Sequence, residues 1–203
     1  MIVAIGLGAS AAAHAQWAGG YAEAGIGPRA ATTEVTVSDP PTTATVKAGD
    51  TELLGSLGAG WRWDAGNAVI GAGAFWNPAG KDAGELTLSD PGLSGSVRLE
   101  QKDHWGIGVE AGWKLAAPTL VYAKLAWNRA KFVGTGTLNG TSTSSNQKLD
   151  GVGFGLGVRH MFDKNTYAFA EWQQVEFEDK NLTPETRIEP RNTIGLIGVG
   201  WKF

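Results

Sequence analysis

Apolar and polar positions alternate along most of this chain with a period of two. The clearest case is the stretch from Gly151 to Phe162, GVGFGLGVRHMF. Every second residue from Val152 to Val158 is large and apolar, and the residues between them are glycine. A period of two predicts a strand and not a helix. Glycine inside a strand costs entropy and leaves nothing to pack. A glycine face is tolerated where another wall or bulky side chains come close, as inside a narrow closed barrel. The same alternation predicts strands over approximately 17–27, 53–63, 68–76, 103–115, 119–132, 149–162, 166–178 and 192–203, eight in all.

The connections between these strands fall into two kinds. Asp64-Ala65-Gly66-Asn67, Ala116-Ala117-Pro118 and Asp163-Lys164-Asn165 read as tight turns. The segments 28–52, 77–102, 133–148 and 179–191 read as long loops rich in Thr, Ser, Gly, Asp and Pro. Within 28–52, Thr33–Val37 and Thr43–Lys47 flank Asp39-Pro40-Pro41 and can extend a hairpin above the rim. Short and long connections alternate strictly. That order predicts an all-β fold, an eight-stranded antiparallel up-and-down transmembrane β-barrel with four long loops at its extracellular end.

Threading the strands up and down sorts the aromatic residues. Trp61, Trp63, Trp113, Phe162, Trp201 and Phe203 fall at the short-turn end. Trp76, Trp105, Trp127 and Trp172 fall towards the long-loop end. Ala, Val, Leu and Ile lie between. Two aromatic belts around an aliphatic band are the pattern of a lipid-facing surface. An eight-stranded interior is too narrow to hold so many tryptophans. The apolar face therefore points to lipid, and the opposite face carries Glu23, Arg62, Glu110, Lys114, Lys124, Arg159, Glu171 and Lys202 among glycines. Isolated buried charge is expensive, so this set predicts an ion-pair network in the lumen. Turn geometry places Glu110 opposite Lys124 and puts Arg159 diagonal to Glu171.

The start of the chain, MIVAIGLGASAAAHAQ, reads as a signal-peptide apolar region ending in an Ala13-His14-Ala15 cleavage site, without a basic segment before it. Residues 1–15 are thus expected to be removed, and 16–203 to form the barrel in the outer membrane of a Gram-negative cell. Of the composition, three features matter. A net charge of −3 lacks the basic stripe that nucleic acid requires. The absence of cysteine excludes disulfides and thiolate metal sites. The only long apolar run is the N-terminal one, so no transmembrane helix is expected, which leaves strands free to cross.

The ending Asn192-Thr-Ile-Gly-Leu-Ile-Gly-Val-Gly-Trp-Lys-Phe203 resembles the last strand of Gram-negative outer-membrane barrels. GVGFGLGVRHMF, followed by Asp163-Lys-Asn165 and Tyr167-Ala-Phe-Ala-Glu-Trp172, resembles the penultimate hairpin of the opacity/OmpA-like eight-stranded family. The resemblance implies that Trp201 and Phe203 form the signal read by the barrel-assembly machinery. It also implies an inward Arg159 and an inward Glu171, with His160 and Trp172 standing where the family has tyrosines. The partners it implies are outer-membrane lipid and lipopolysaccharide, the assembly machinery and an unidentified surface ligand of the loops. The specific motifs cover about the last third of the chain.

Catalytic chemistry finds little support. His14 leaves with the signal peptide, His160 reads as an interfacial ring, and His104 lies near the long-loop rim with Ser94, Ser96 and Glu100 close in sequence. Some barrels of this size modify lipid A with a His–Ser site, but no His–Ser pair lies along one strand here. The glycine pattern is strand alternation and not a phosphate loop, since no helix follows it. The loop carboxylates Glu34, Asp39, Asp82, Glu85, Asp90, Glu178, Asp179 and Glu185 are scattered, as on a solvated face. The reading carries no enzyme activity, no cofactor and no metal. A structural anchor presenting surface loops for interaction or adhesion stands first. A small porin-like pore through the ion-paired lumen stands second, and a lipid A-modifying enzyme third.

Overall fold

The computed structural model describes residues 15–39, 42–78, 82–90, 93–138, 141–183 and 186–203, with side chains described for 16–32, 49–78, 100–135, 142–179 and 189–203. The expected signal peptide lies outside these residues except for Ala15. After a 3-10 turn, Ala15–Trp17, come β1 (Gly19–Asp39), β2 (Thr42–Ala65), β3 (Ala68–Asn77), β4 (Asp82–Asp90), β5 (Leu93–Ala116), β6 (Thr119–Leu138), β7 (Thr141–Met161), β8 (Thr166–Phe177), β9 (Lys180–Thr183) and β10 (Thr186–Lys202). All ladders are antiparallel between neighbours, and β1 pairs with β10 to close an eight-stranded barrel. The short strands β4 and β9 pair with β5 and β10 above the rim.

The segments read as long loops are largely strand. β1 and β2 stay paired from Gly19↔Arg62 up to Asp39↔Thr42, and β6 and β7 from Thr119↔His160 up to Leu138↔Thr141. Thr, Val and Ser favour a pleated ladder. A hairpin arm already in register adds hydrogen bonds at each further step. The barrel wall therefore continues upward as tall hairpins, and the strands outrun the sequence boundaries at one end only.

The tight turns at the other end follow local chemistry. Gly66 takes a positive φ of 74° in the β2–β3 turn. In the β7–β8 turn the Asp163 carboxylate accepts the amides of Asn165 and Thr166, both at 2.8 Å. Those donors hold its carboxyl below the usual carboxylate range.

The two faces separate cleanly. Ile70, Ile107, Val109, Leu125, Val152, Phe154, Leu156, Ile197 and Val199 are exposed outward. Inside, the glycine face of β7 and β10 is filled by large side chains from neighbouring strands. A Cβ on Gly157 would collide with the Tyr122 ring, and one on Gly200 with the Tyr167 ring. Gly157 and Gly200 each make room for a tyrosine, Gly198 for the Phe169 ring and Gly155 for the Gln173 side chain, which is why the pattern leaves these positions bare.

Candidate functional site

The lumen is built in layers. At the short-turn end Trp17 is buried with Val69, Leu120, Met161 and Tyr167. The Trp17 and Tyr167 rings lie 6.0 Å apart. This floor closes the mouth.

Above it lies a charged layer. Arg62 donates from Nε to Glu110 Oε1 at 2.6 Å, from Nη1 to the Tyr167 hydroxyl at 2.9 Å and from Nη2 to Glu23 Oε2 at 3.3 Å. Arg159 Nη2 donates to Glu110 Oε2 at 2.9 Å and to Glu23 Oε1 at 3.5 Å. The Tyr167 hydroxyl donates to Glu23 at 2.9 Å. Each guanidinium also stacks on a phenol. Arg62 lies 3.5 Å from the Tyr21 ring centroid, and Arg159 lies 3.6 Å from that of Tyr122. Two arginines, two carboxylates and three tyrosines thus compensate one another's charge in a site that almost excludes water, although Arg159 Nε and Nη1 are buried without a hydrogen-bond partner. Buried ions persist only under such mutual compensation.

A second cluster centres on Glu171. It accepts from the Tyr122 hydroxyl at 2.5 Å, from Lys124 Nζ at 2.5 Å and from the Gln173 amide. Lys124 also lies over the Phe75 ring, 4.9 Å from its centroid. Beside these two clusters a cavity of about 20 Å³ is lined by Tyr21, Glu23, Phe75, Glu110 and Lys124. That is space for one water molecule.

Nearer the hairpins the polar groups around His104 are neutral. Asn77 Nδ2 donates to His104 Nδ1 at 3.0 Å, and His104 Nε2 donates to Asn128 Oδ1 at 3.0 Å. Asn128 passes the chain on to the Ala126 carbonyl at 3.0 Å. This assignment places the imidazole proton on Nε2. Phe75 and Phe177 meet the His104 ring edge-on. Asn192 donates to Gln101 at 2.9 Å, and Arg29 pairs with Glu52. An apolar cap of Leu54, Ala130, Leu149, Phe177 and Ile194 lies among these groups, with Phe132 packed against it.

Of the eight charged residues expected in one network, six form the two clusters just described. Lys114 instead binds Asp64 at 2.6 Å and the Gly66 carbonyl at 2.7 Å, at the short-turn mouth. Lys202 donates to the Ala18 carbonyl at 3.3 Å. The expected pairings also change. Glu110 and Lys124 do face each other across β5 and β6, yet Glu110 pairs with the two arginines and Lys124 with Glu171. Arg159 and Glu171 sit diagonally on β7 and β8 but bond to different partners. Arginines from β2 and β7 reach across the lumen, so neighbouring strands do not decide the pairs.

Trp61, Trp63, Trp76, Trp105, Trp113, Phe162, Trp172, Trp201 and Phe203 all point outward and are exposed. Trp127 also points outward and is half covered by Trp105, whose ring meets it edge-on at 5.2 Å. His104, considered for catalysis, is buried inside the lumen at 1% exposure and does not face the outer wall. Glu100 pairs with Lys102, and the side chains of Ser94 and Ser96 lie outside the described residues. His160 is exposed and bonds the Thr119 hydroxyl at 2.9 Å. The sequence reading missed Tyr21, Tyr122 and Tyr167. Their signal was present: all three occupy the inward parity of their strands, as Glu23, Lys124 and Phe169 do.

A family model described as the outer membrane protein beta-barrel domain matches residues 1–203. Among solved structures, the outer membrane protease OmpT from Escherichia coli superposes with a TM-score of 0.53 at 10% identity, covering 91% of this chain and 97% of that one. The outer membrane protein OprG from Pseudomonas aeruginosa gives 0.52 at 11% identity, covering 92% and 96%. Ail, the attachment invasion locus protein of Yersinia pestis, gives 0.43 at 12% identity, covering 91% and 99%. No curated protein matches the sequence.

Proposed function

This chain belongs to the outer membrane protein β-barrel domain family and resides in the outer membrane, and from that premise we propose that it is a structural anchor whose tall hairpins are its working surface. The hairpin end faces outward from the cell, and the short turns face the periplasm. The observation that carries this reading is the filled lumen. A floor of Trp17 and Tyr167, a charged layer locked by Glu110 and a cap around Phe177 and Ile194 occupy the barrel from end to end. Such an interior supports rigidity and not transport. Rigid scaffolds commonly present recognition at loop tips, and the ligand of these hairpins is then a surface partner. The buried position of His104, held between two asparagines, supports a packing role for it over a catalytic one. Trp201 and Phe203, outward at the end of β10, fit the assembly signal that the sequence resemblance implies.

Single-channel recording of the refolded barrel in a planar bilayer tests the anchor reading. The expected result is silence from protein shown to be folded and inserted. Reproducible conductance steps that change selectivity in Glu171→Gln would make the lumen the functional site and remove the reading.

A further inference from the structure

Three buried N–H donors near the short-turn mouth have no hydrogen-bond partner. They are Nε and Nη1 of Arg159 and Nε1 of Trp17. Both side chains are shut off from solvent, Arg159 at 1% exposure and Trp17 at 0%. A buried donor without an acceptor carries the full cost of its lost hydration, and a charged donor carries more.

The three donors share one neighbourhood. Arg159 and the Tyr167 hydroxyl donate to the two oxygens of the same carboxylate, Glu23, and the Trp17 ring lies 6.0 Å from the Tyr167 ring. On β6, Leu120 is the register partner of Arg159, and it is buried in the same cluster as Trp17. Met161, one inward step below Arg159 on β7, belongs to that cluster too. The Arg159 stack on Tyr122 uses the flat face of the guanidinium. Nε and Nη1 donate in the guanidinium plane, so the stack does not occupy them. Only Nη2 reaches the carboxylates.

The acceptors nearby are already engaged. Glu110 accepts on both oxygens from Arg62 and Arg159, and Glu23 accepts on both from Arg159, Arg62 and Tyr167. Among the described residues, the buried side-chain acceptors left without a donor are Glu52 Oε2 and Asn77 Oδ1, both towards the hairpins. The unmet demand at the floor is therefore for an acceptor alone. A water molecule would accept there but would bring hydrogens that need acceptors of their own.

The local charge points the same way. Arg62 and Arg159 face Glu23 and Glu110, Lys124 binds Glu171, and Lys114 binds Asp64. Lys202, at the same mouth, reaches only the carbonyl of Ala18, the residue after Trp17, at 3.3 Å. The lower lumen thus holds one more cation than its side-chain carboxylates offset, and unmatched charge in a dry interior is costly. A halide ion is small, negative and accepts without donating.

We propose that the floor of the lumen is a binding site for one halide ion, held by Arg159 Nε and Nη1 from above and by Trp17 Nε1 from below. The ion would tie the Ala15–Trp17 turn to β7 and lock the floor that closes the mouth. The site goes beyond the anchor reading and stands or falls separately from it.

Two measurements on the whole barrel test it. In crystals grown with bromide, one anomalous peak should lie between the Arg159 guanidinium and the Trp17 indole. In lipid vesicles, chloride is raised tenfold at fixed ionic strength by replacing gluconate, and urea unfolding is followed. Above the dissociation constant, the folded-to-unfolded ratio should rise about tenfold. Trp17→Phe keeps an aromatic ring and removes one donor, and it should flatten that dependence. Trp172→Phe, on the outer wall, should leave it intact. Equal stability in chloride and gluconate would overturn the proposal. So would water at the floor in the bromide crystals, or a chloride dependence that Trp17→Phe does not change. If Trp17→Phe fails to fold, the bromide and gluconate comparisons on the unaltered protein still decide.

Discussion

The two polar layers of the lumen solve the same problem in different ways. Around Glu110, four full charges share a nearly dry space, and every ion touches at least two opposite groups. Around His104, neutral amides and an imidazole pass hydrogen bonds in a line that ends on a backbone carbonyl. The lower layer draws its members from β1, β2, β5 and β7 and crosses the lumen. The upper line links β3, β5 and β6, which are neighbours in the sheet. Charge needs compensation from several directions at once, whereas a neutral polar group needs only one or two partners. The charged layer therefore ties distant strands together, and the neutral one stitches adjacent strands.

The largest break in this comparison is Glu110→Gln. It leaves Arg62 and Arg159 facing each other with Glu23 as their shared carboxylate, and should cost about 3–5 kcal/mol. Urea unfolding of the barrel in lipid vesicles measures it. A loss below about 1 kcal/mol would mean that the layer is solvated like a surface pair, and the picture of a dry lumen would fail.

A smaller effect is expected from Gly157→Val, which drives a methyl group into the Tyr122 ring. The ring then leaves Arg159 and Glu171, and about 1–3 kcal/mol of stability goes with it. Gly195→Val sharpens the contrast, because on that outward face a Cβ meets only the Pro28 ring at 3.8 Å. That change should stay within about 0.5 kcal/mol. Equal losses at both positions would show that strand glycines here serve the backbone and not the tyrosines.

Of the three changes expected to destabilise, His104→Ala has the smallest effect. It ends the line from Asn77 to Asn128 and should cost about 1–2 kcal/mol, with His104→Gln recovering part of it. The same unfolding series reads it. A loss as large as that of Glu110→Gln would erase the distinction between the layers.

Much of this was legible in the residue pattern. Strict alternation marks a strand and assigns each side chain to a face, so the eight wall strands, the outward tryptophans and the inward charges could all be placed from the chain alone. Alternation is a local property, and it stops being informative where contacts are not local. The hairpins above the rim contain the Thr, Ser and Gly of ordinary loops, and only pairing with a neighbour already in register turns them into strand. The bulge at Asp103, between Lys102 and Trp105 on β5, shifts parity by one residue and sends Lys102 outward, which no period of two can anticipate.

The ion pairs teach the same limit more sharply. Turn geometry correctly set Glu110 opposite Lys124, but the barrel is narrow enough for arginine stems to span it. Arg62 reaches Glu110 from 48 positions away in the chain and Tyr167 from 105. The sequence by itself determined which residues enter the lumen, because parity along a strand is covalent geometry. Closure of the barrel decided which of them meet, because distances across the lumen exist only once β1 has found β10.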